Sequence, residues 1–355
     1  MTRVVSILLC FLVIGIIALL AWPEQSYERF EPGAAFLAQA ERYDVPAMPA
    51  DWRQQVWEAP DGTLLRWGET GNRDSAKATV VWIPGYTATL DMYGEQFDQL
   101  ARRGFHVIGV DLRGQGMSQR HRADQPEKLW VEDFGTYSDD LARFVADIAP
   151  RDRTVIPMAM SFGSHVAMRT ALEQPELFDG LFLVAPALRP AMGENPDMTV
   201  HVMRAMRATG KAERYVPGQG RWETTSTDLD VAGPEYCASN PARLHARDVV
   251  FARRPEQRVG GVTAQWGLEF MESAEAINAP GRFEALEIPV RMMLADYEVF
   301  VENDANTEAC GRLPMCEATL IPETAHCLTQ ESDAVLDTMF DALDDLAESL
   351  PVEPS

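Results

Sequence analysis

The chain has 355 residues, and 54 Asp and Glu against 31 Lys and Arg leave a net charge of −23. That length supports one large or two small domains with a sizeable core. The acidity argues against nucleic acid, whose phosphates need Lys and Arg, and against electrostatic adhesion to anionic lipid surfaces; its plain consequence is solubility.

Val4 to Trp22 is almost unbroken apolar sequence, long enough for a helix that spans the hydrocarbon core. Arg3 precedes it and Glu24, Glu28 and Glu31 follow, so the positive-inside rule puts everything after Trp22 outside the cytoplasm. Leu19-Leu20-Ala21 is a poor cleavage site, which favours an uncleaved anchor over a signal peptide. The expectation is a single-pass inner-membrane protein with its main domain on the extracytoplasmic, periplasmic side. Placement on the cytoplasmic face and secretion after cleavage are the alternatives. Cys237, Cys310, Cys316 and Cys327 lie beyond this segment, and their even count permits disulfides. Cys310 and Cys316 flank a five-residue loop. No cysteine spacing resembles a zinc site, so no metal is expected.

Residues 24–53, rich in Pro, Trp and charge, read as a tether. Short β-like runs around Pro60-Asp61-Gly62 predict a hairpin that opens the first part of the core, 54–186. Ala78–Ile83, Phe105–Val110, Thr154–Ala159 and Gly180–Ala185 are apolar runs suited to buried strands. Tyr93–Arg103 and Phe134–Ile148 have helical period. From 187 to 284 strand signals vanish and methionines cluster, as in a helical cap. Strands resume at Ile288–Leu294 and Met315–Ile321, and an amphipathic helix through Val335, Met339, Leu343, Leu346 and Leu350 closes the second part of the core, 285–355. Alternating strands and helices predict an α/β fold with a mostly parallel sheet and helices on both faces. Ligands on such sheets bind at the carboxyl ends of the strands.

The stretch Ala159-Met160-Ser161-Phe162-Gly163 turns a strand abruptly into a helix, with a lone hydroxyl at the tip. It is a Gly-x-Ser-x-Gly nucleophile elbow with Ala in the first place. A serine nucleophile needs a base, and the base needs an orienting carboxylate, in the chain order Ser, acid, His. Of the six histidines, only His326 falls on a loop after the last strand. His106 lies inside a strand, His165 in the helix behind the elbow, His121 after a glycine-rich loop, and His201 and His245 in the cap. Asp296 and Glu298 both follow the Ile288–Leu294 strand, and spacing alone does not choose between them.

With these motifs the chain resembles the α/β-hydrolase superfamily, in its bacterial lysophospholipase and monoacylglycerol lipase-like branch of serine aminopeptidase S33-type hydrolases. Asp111 to Ser118 matches Asp-x-Arg-Gly-x-Gly-x-Ser completely, and Pro84-Gly85-Tyr86 stands where the family carries His-Gly-x. Val259-Gly260-Gly261-Val262-Thr263-Ala264-Gln265-Trp266 resembles a Gly-Gly-x-Thr-x-x-Trp run of bacterial lysophospholipases. Aligning the family's acid motif on Val301-Glu302-Asn303 puts the acid at Glu298. The resemblance implies an eight-stranded sheet, with Ser161 as nucleophile, His326 as base and Glu298 as its partner. It implies an oxyanion hole from the Tyr86 and Phe162 N–H groups, and no cofactor. The implied activity is hydrolysis of lysophospholipid or monoacylglycerol esters, with the membrane reached through the N-terminal helix. A carboxylesterase or acyltransferase acting on small soluble esters, and a membrane-tethered binding module, are the competing expectations.

Overall fold

The structure is a computed structural model and describes residues 26–350 apart from 151, 192, 194 and 225–227. Eight strands form one sheet: β1 Arg53–Glu58, β2 Leu64–Thr70, β3 Thr79–Ile83, β4 His106–Val110, β5 Val155–Met160, β6 Leu181–Val184, β7 Val290–Tyr297 and β8 Cys316–Ala325. Their order is β1-β2-β4-β3-β5-β6-β7-β8. The predicted hairpin pairs β1 with β2, and β2 joins β4 antiparallel. From β4 to β8 every pairing is parallel.

Strands β3 to β6 are buried along their whole length, which is why they read as continuous apolar runs rather than alternating ones. Alternation survives inside the core. Val81 and Ile83 face one helical layer, while Val80 and Trp82 face the other. The first layer holds α3 (Gly135–Ile148) and α4 (Phe162–Glu173); the second holds α2 (Gly94–Arg102) and α10 (Asp333–Ser349). On α10 the predicted Met339, Leu343 and Leu346 are fully buried and Leu350 is buried just past its end, while Val335 is half-buried and Leu336 and Phe340 take the remaining core places.

Between β6 and β7 lies an insertion with α5 (Pro196–Ala208), α6 (Pro241–Leu244), α7 (Ala246–Arg253) and α8 (Ala264–Ile277). It contributes no strand to the sheet among the described residues. Trp266 of α8 reaches into the core and donates to Tyr137 Oη at 3.0 Å. Thr263 caps α8 and ties it to the Leu129 carbonyl at 2.7 Å.

Two expectations change, and a third falls outside the described residues. The tether carries a helix, α1 (Ala34–Arg42), whose Phe36 and Ala40 pack against Leu229 and Val249 of the insertion. Arg253 donates to the carbonyls of Ala40 and Tyr43, so the segment is docked, and its apolar face is the reason. Strand β7 runs on to Tyr297 and β8 to Ala325, past the ends read from the apolar pattern. Exposed strand residues at both ends hid the continuation. The apolar run Val4–Trp22 lies outside the described residues, and among those described no helix is long and apolar enough to cross a membrane.

Candidate active site

Ser161 sits between β5 and α4 with φ 51° and ψ −116°. A side chain at positive φ is strained, and the surroundings hold it there. Ser161 N–H donates to Val184 O at 2.9 Å, and Ser161 O accepts from His165 and Ala187. Gly163 is required by packing: a Cβ there would stand 2.5 Å from Pro84 O and 2.6 Å from Ile83 O. Ala159, by contrast, lies inside β5 and is buried without disturbing the pairing to Ile83 and Leu183.

His326 Nε2 is 2.9 Å from Ser161 Oγ, and His326 Nδ1 is 2.7 Å from Glu298 Oε2. The other Glu298 oxygen accepts the N–H groups of Phe300 and Val301 at 2.8 and 3.2 Å, which fixes the carboxylate. Asp296 is not part of this chain. It still belongs to β7, is exposed, and accepts from Glu323 N–H at 3.2 Å.

Phe162 N–H opens α4, where no intrahelical acceptor exists, and Tyr86 N–H donates to no described residue. Both flank Ser161 at the mouth of a cavity of about 520 Å³. Gln115 braces the Tyr86 loop from both sides. Its Oε1 accepts Thr87 N–H at 2.7 Å and its Nε2 donates to Gly85 O at 3.2 Å. Sequence reasoning did not single out Gln115, although it occupies a variable place inside the Asp111–Ser118 motif. That motif is itself a brace. Buried Asp111 accepts from Leu90 and Met117 N–H and pairs with Arg66 at 3.1 Å. Burial pushes the Asp111 carboxyl up, and Arg66 opposes that shift. Gly116 leaves room for the carboxylate, since a Cβ there would lie 2.1 Å from Asp111 Oδ2.

The insertion is fastened to this site. Tyr86 Oη donates to Gly260 O at 2.9 Å, and its ring stands 4.8 Å from Trp266, so the Gly-Gly run meets the Pro84–Thr87 loop directly. Cys237 and Cys327 form a disulfide that joins the insertion to the residue after His326. Cys310 and Cys316 form the second disulfide, across the short loop the sequence flagged. Glu331 bridges the same two regions, accepting Ala325 N–H at 3.1 Å and Ser239 N–H at 3.0 Å.

The other histidines have structural partners. His106 Nε2 is 2.8 Å from Glu69, and His165 lies between Ala187 O at 3.1 Å and Ser273 Oγ at 2.8 Å. Burial pushes His165 down to about 3, so it stays neutral. His121 stacks on Trp130, His201 is on α5, and buried His245 meets Val231 O.

Known proteins resemble this chain in sequence and in fold. The family model for serine aminopeptidase, S33, matches residues 74–333. Lysophospholipase L2 of Escherichia coli K12 is 28% identical over 237 residues, 65% of this chain. The chain spans 66% of that relative's length, just under two thirds. A probable lysophospholipase L2 of Haemophilus influenzae is 22% identical over 263 residues, 74% of this chain and 80% of that protein. Among solved structures, a soluble variant of monoglyceride lipase from Saccharomyces cerevisiae superposes with TM-score 0.67. It is 16% identical and covers 86% of this chain and 98% of its own, a likeness of fold. The stretch from 74 to 333 takes in the Tyr86 loop, the turn at Ser161, the insertion, Glu298 and His326, so this chain belongs to the serine aminopeptidase S33 family of α/β-hydrolases.

Proposed function

We propose that the protein is a serine ester hydrolase that cleaves acyl esters of lysophospholipids or monoacylglycerols through an acyl-enzyme. The observation that carries this reading is the hydrogen-bonded chain Ser161–His326–Glu298, at 2.9 and 2.7 Å, opening on an apolar-walled cavity of about 520 Å³. Ser161 Oγ attacks the ester carbonyl while His326 Nε2 takes its proton. Glu298 accepts the Nδ1 hydrogen and stabilises the imidazolium. The oxyanion is held by the N–H groups of Phe162 and Tyr86, with the positive end of α4 adding to them. His326 then protonates the leaving alkoxide. Water, deprotonated by the same imidazole, releases the acid and restores Ser161. The walls formed by Met203, Phe270 and Met271 suit an acyl chain.

In this reading Val4–Trp22 anchors the domain on the extracytoplasmic side of the inner membrane, near amphiphilic substrate. Two disulfides support that side, because they persist in oxidising compartments.

The test is a chain-length series of esters, given to the full chain in mixed micelles. Long-chain lysophospholipids and monoacylglycerols should be turned over faster than short soluble esters. Cleavage of short esters alone would return the protein to the carboxylesterases. Transfer of the acyl group to an added alcohol, faster than its release to water, would make it an acyltransferase.

A further inference from the structure

Two cavities meet at Ser161. The larger takes about 520 Å³; a smaller one, about 180 Å³, is walled also by Met92, Tyr93, Leu244 and Gln330, which the larger does not touch. Ser161, His326, Tyr86 and Arg247 belong to the walls of both. Neither wall contains a carboxylate among the described residues, and Arg247 is the one permanently charged side chain in either. Its counter-ion is buried Asp248, whose Oδ1 lies 2.9 Å from Arg247 Nη2 and which belongs to neither wall.

The guanidinium is fixed from behind. Arg247 Nε donates to Asp248 Oδ1 at 3.0 Å, and Nη1 donates to Thr87 Oγ1 at 3.3 Å. Asp248 is buried, also accepts from Trp222 Nε1 at 3.3 Å, and lies outside both walls. Thr87 follows Tyr86, so the charge stands one residue from the oxyanion loop. A guanidinium has five N–H donors in a planar fork, and with Nε, Nη1 and Nη2 each engaged once, one N–H on each terminal nitrogen is left for a ligand.

We infer that the smaller cavity receives the leaving alcohol of the ester, and that Arg247 selects an alcohol carrying a phosphate over uncharged glycerol. The inference rests on the reading of Ser161 as the nucleophile. An acyl chain in the larger cavity directs the alcohol away from it, toward the smaller one. A phosphate oxygen there meets charge-assisted donors, whereas glycerol offers no charge for the guanidinium. The overall negative field repels an anionic substrate at long range, so the preference must be local and survive salt. Hydrogen bonds to a charged group are strong enough for a selectivity on the order of tenfold or more.

The experiment compares kcat/KM of the full chain in mixed micelles for monooleoylglycerol, oleoyl-glycerol-3-phosphate and oleoyl-glycerophosphoethanolamine. The wild-type protein should favour the two phosphate-bearing esters. Arg247→Met should lower the phosphate-to-glycerol ratio at least tenfold, chiefly through KM, and Arg247→Lys should retain an intermediate ratio. A ratio unchanged in Arg247→Met would overturn the inference. A second measurement needs no variant: glycerol 3-phosphate should inhibit monooleoylglycerol hydrolysis at a concentration at least tenfold lower than glycerol does, and equal potency would count against it. Turnover with a flat ratio removes this inference alone. Absence of all ester turnover, with no fluorophosphonate adduct on Ser161, removes the hydrolase reading beneath it.

Discussion

The two halves of the site are held in different ways. Ser161 is placed by the sheet: its strain, the bond to Val184 and the close approach of Gly163 to Ile83 and Pro84 all lie within β3, β5, β6 and the start of α4. His326 is placed by the insertion. Cys327 N–H donates to Cys237 O at 3.0 Å beside the disulfide, and Arg243 donates to Glu331 O at 2.6 Å while Glu331 holds Ala325 and Ser239. The Ser161 hydroxyl therefore depends on short-range geometry, and the His326 imidazole on ties between segments far apart in the chain. Loosening the insertion should move the imidazole before it moves the hydroxyl.

The difference can be broken in order of effect. Ser161→Ala should lose on the order of 10⁴-fold or more in kcat/KM while the circular dichroism spectrum stays native. Glu298→Gln should lose on the order of 10³–10⁴-fold, because the imidazole loses its orienting charge. Asp296→Asn, facing solvent and Glu323, should stay within about threefold by the same assay. A larger loss for Asp296→Asn than for Glu298→Gln would reassign the acid.

Replacing both Cys237 and Cys327 by Ser should cost about 2–4 kcal/mol in urea denaturation. It should also lower kcat, since the bridge adjoins His326. The same change at Cys310 and Cys316 should leave kcat near wild type, because that bridge joins α9 (Asn303–Arg312) to the start of β8 and touches neither Ser161 nor His326. Equal losses in the two double variants would erase the distinction between the halves.

Acid provides a smaller effect. The His165 pKa in the folded chain lies about 3, below its unfolded value, and His106 is also pushed down by burial. The unfolded chain thus binds more protons, so the stability these groups contribute is full above the unfolded value and is lost as pH falls toward the folded one. Between pH 7 and pH 5, His165 alone should cost about 2 kcal/mol by urea titration. His165→Gln should flatten that slope. Smallest of all, Ala159→Gly should change stability by less than about 1 kcal/mol and activity by less than about twofold.

Much of this was legible where the physics is local. Apolar runs marked β3 to β6 because both faces of each strand are covered, and the elbow marked Ser161 because a tight strand-to-helix turn demands small neighbours. His326 followed from chain order. The choice between Asp296 and Glu298 was not open to spacing, because it turns on where β7 lets go of the sheet, two residues past Ala295 at Tyr297. The Cys237–Cys327 pairing, at a sequence separation of 90, has no local signature. Arg247 reads as an ordinary helix-surface cation until the fold brings it beside Thr87. The docking of α1 was hidden by Pro and charge around a short apolar stripe.

The central claim is that the Ser161 hydroxyl is activated by His326. Treating the full chain with a fluorophosphonate and mapping the adduct by mass spectrometry tests it directly. A single adduct should form on Ser161, at least about 10³-fold more slowly in His326→Gln. An adduct on another residue, or an unchanged rate in His326→Gln, would contradict it.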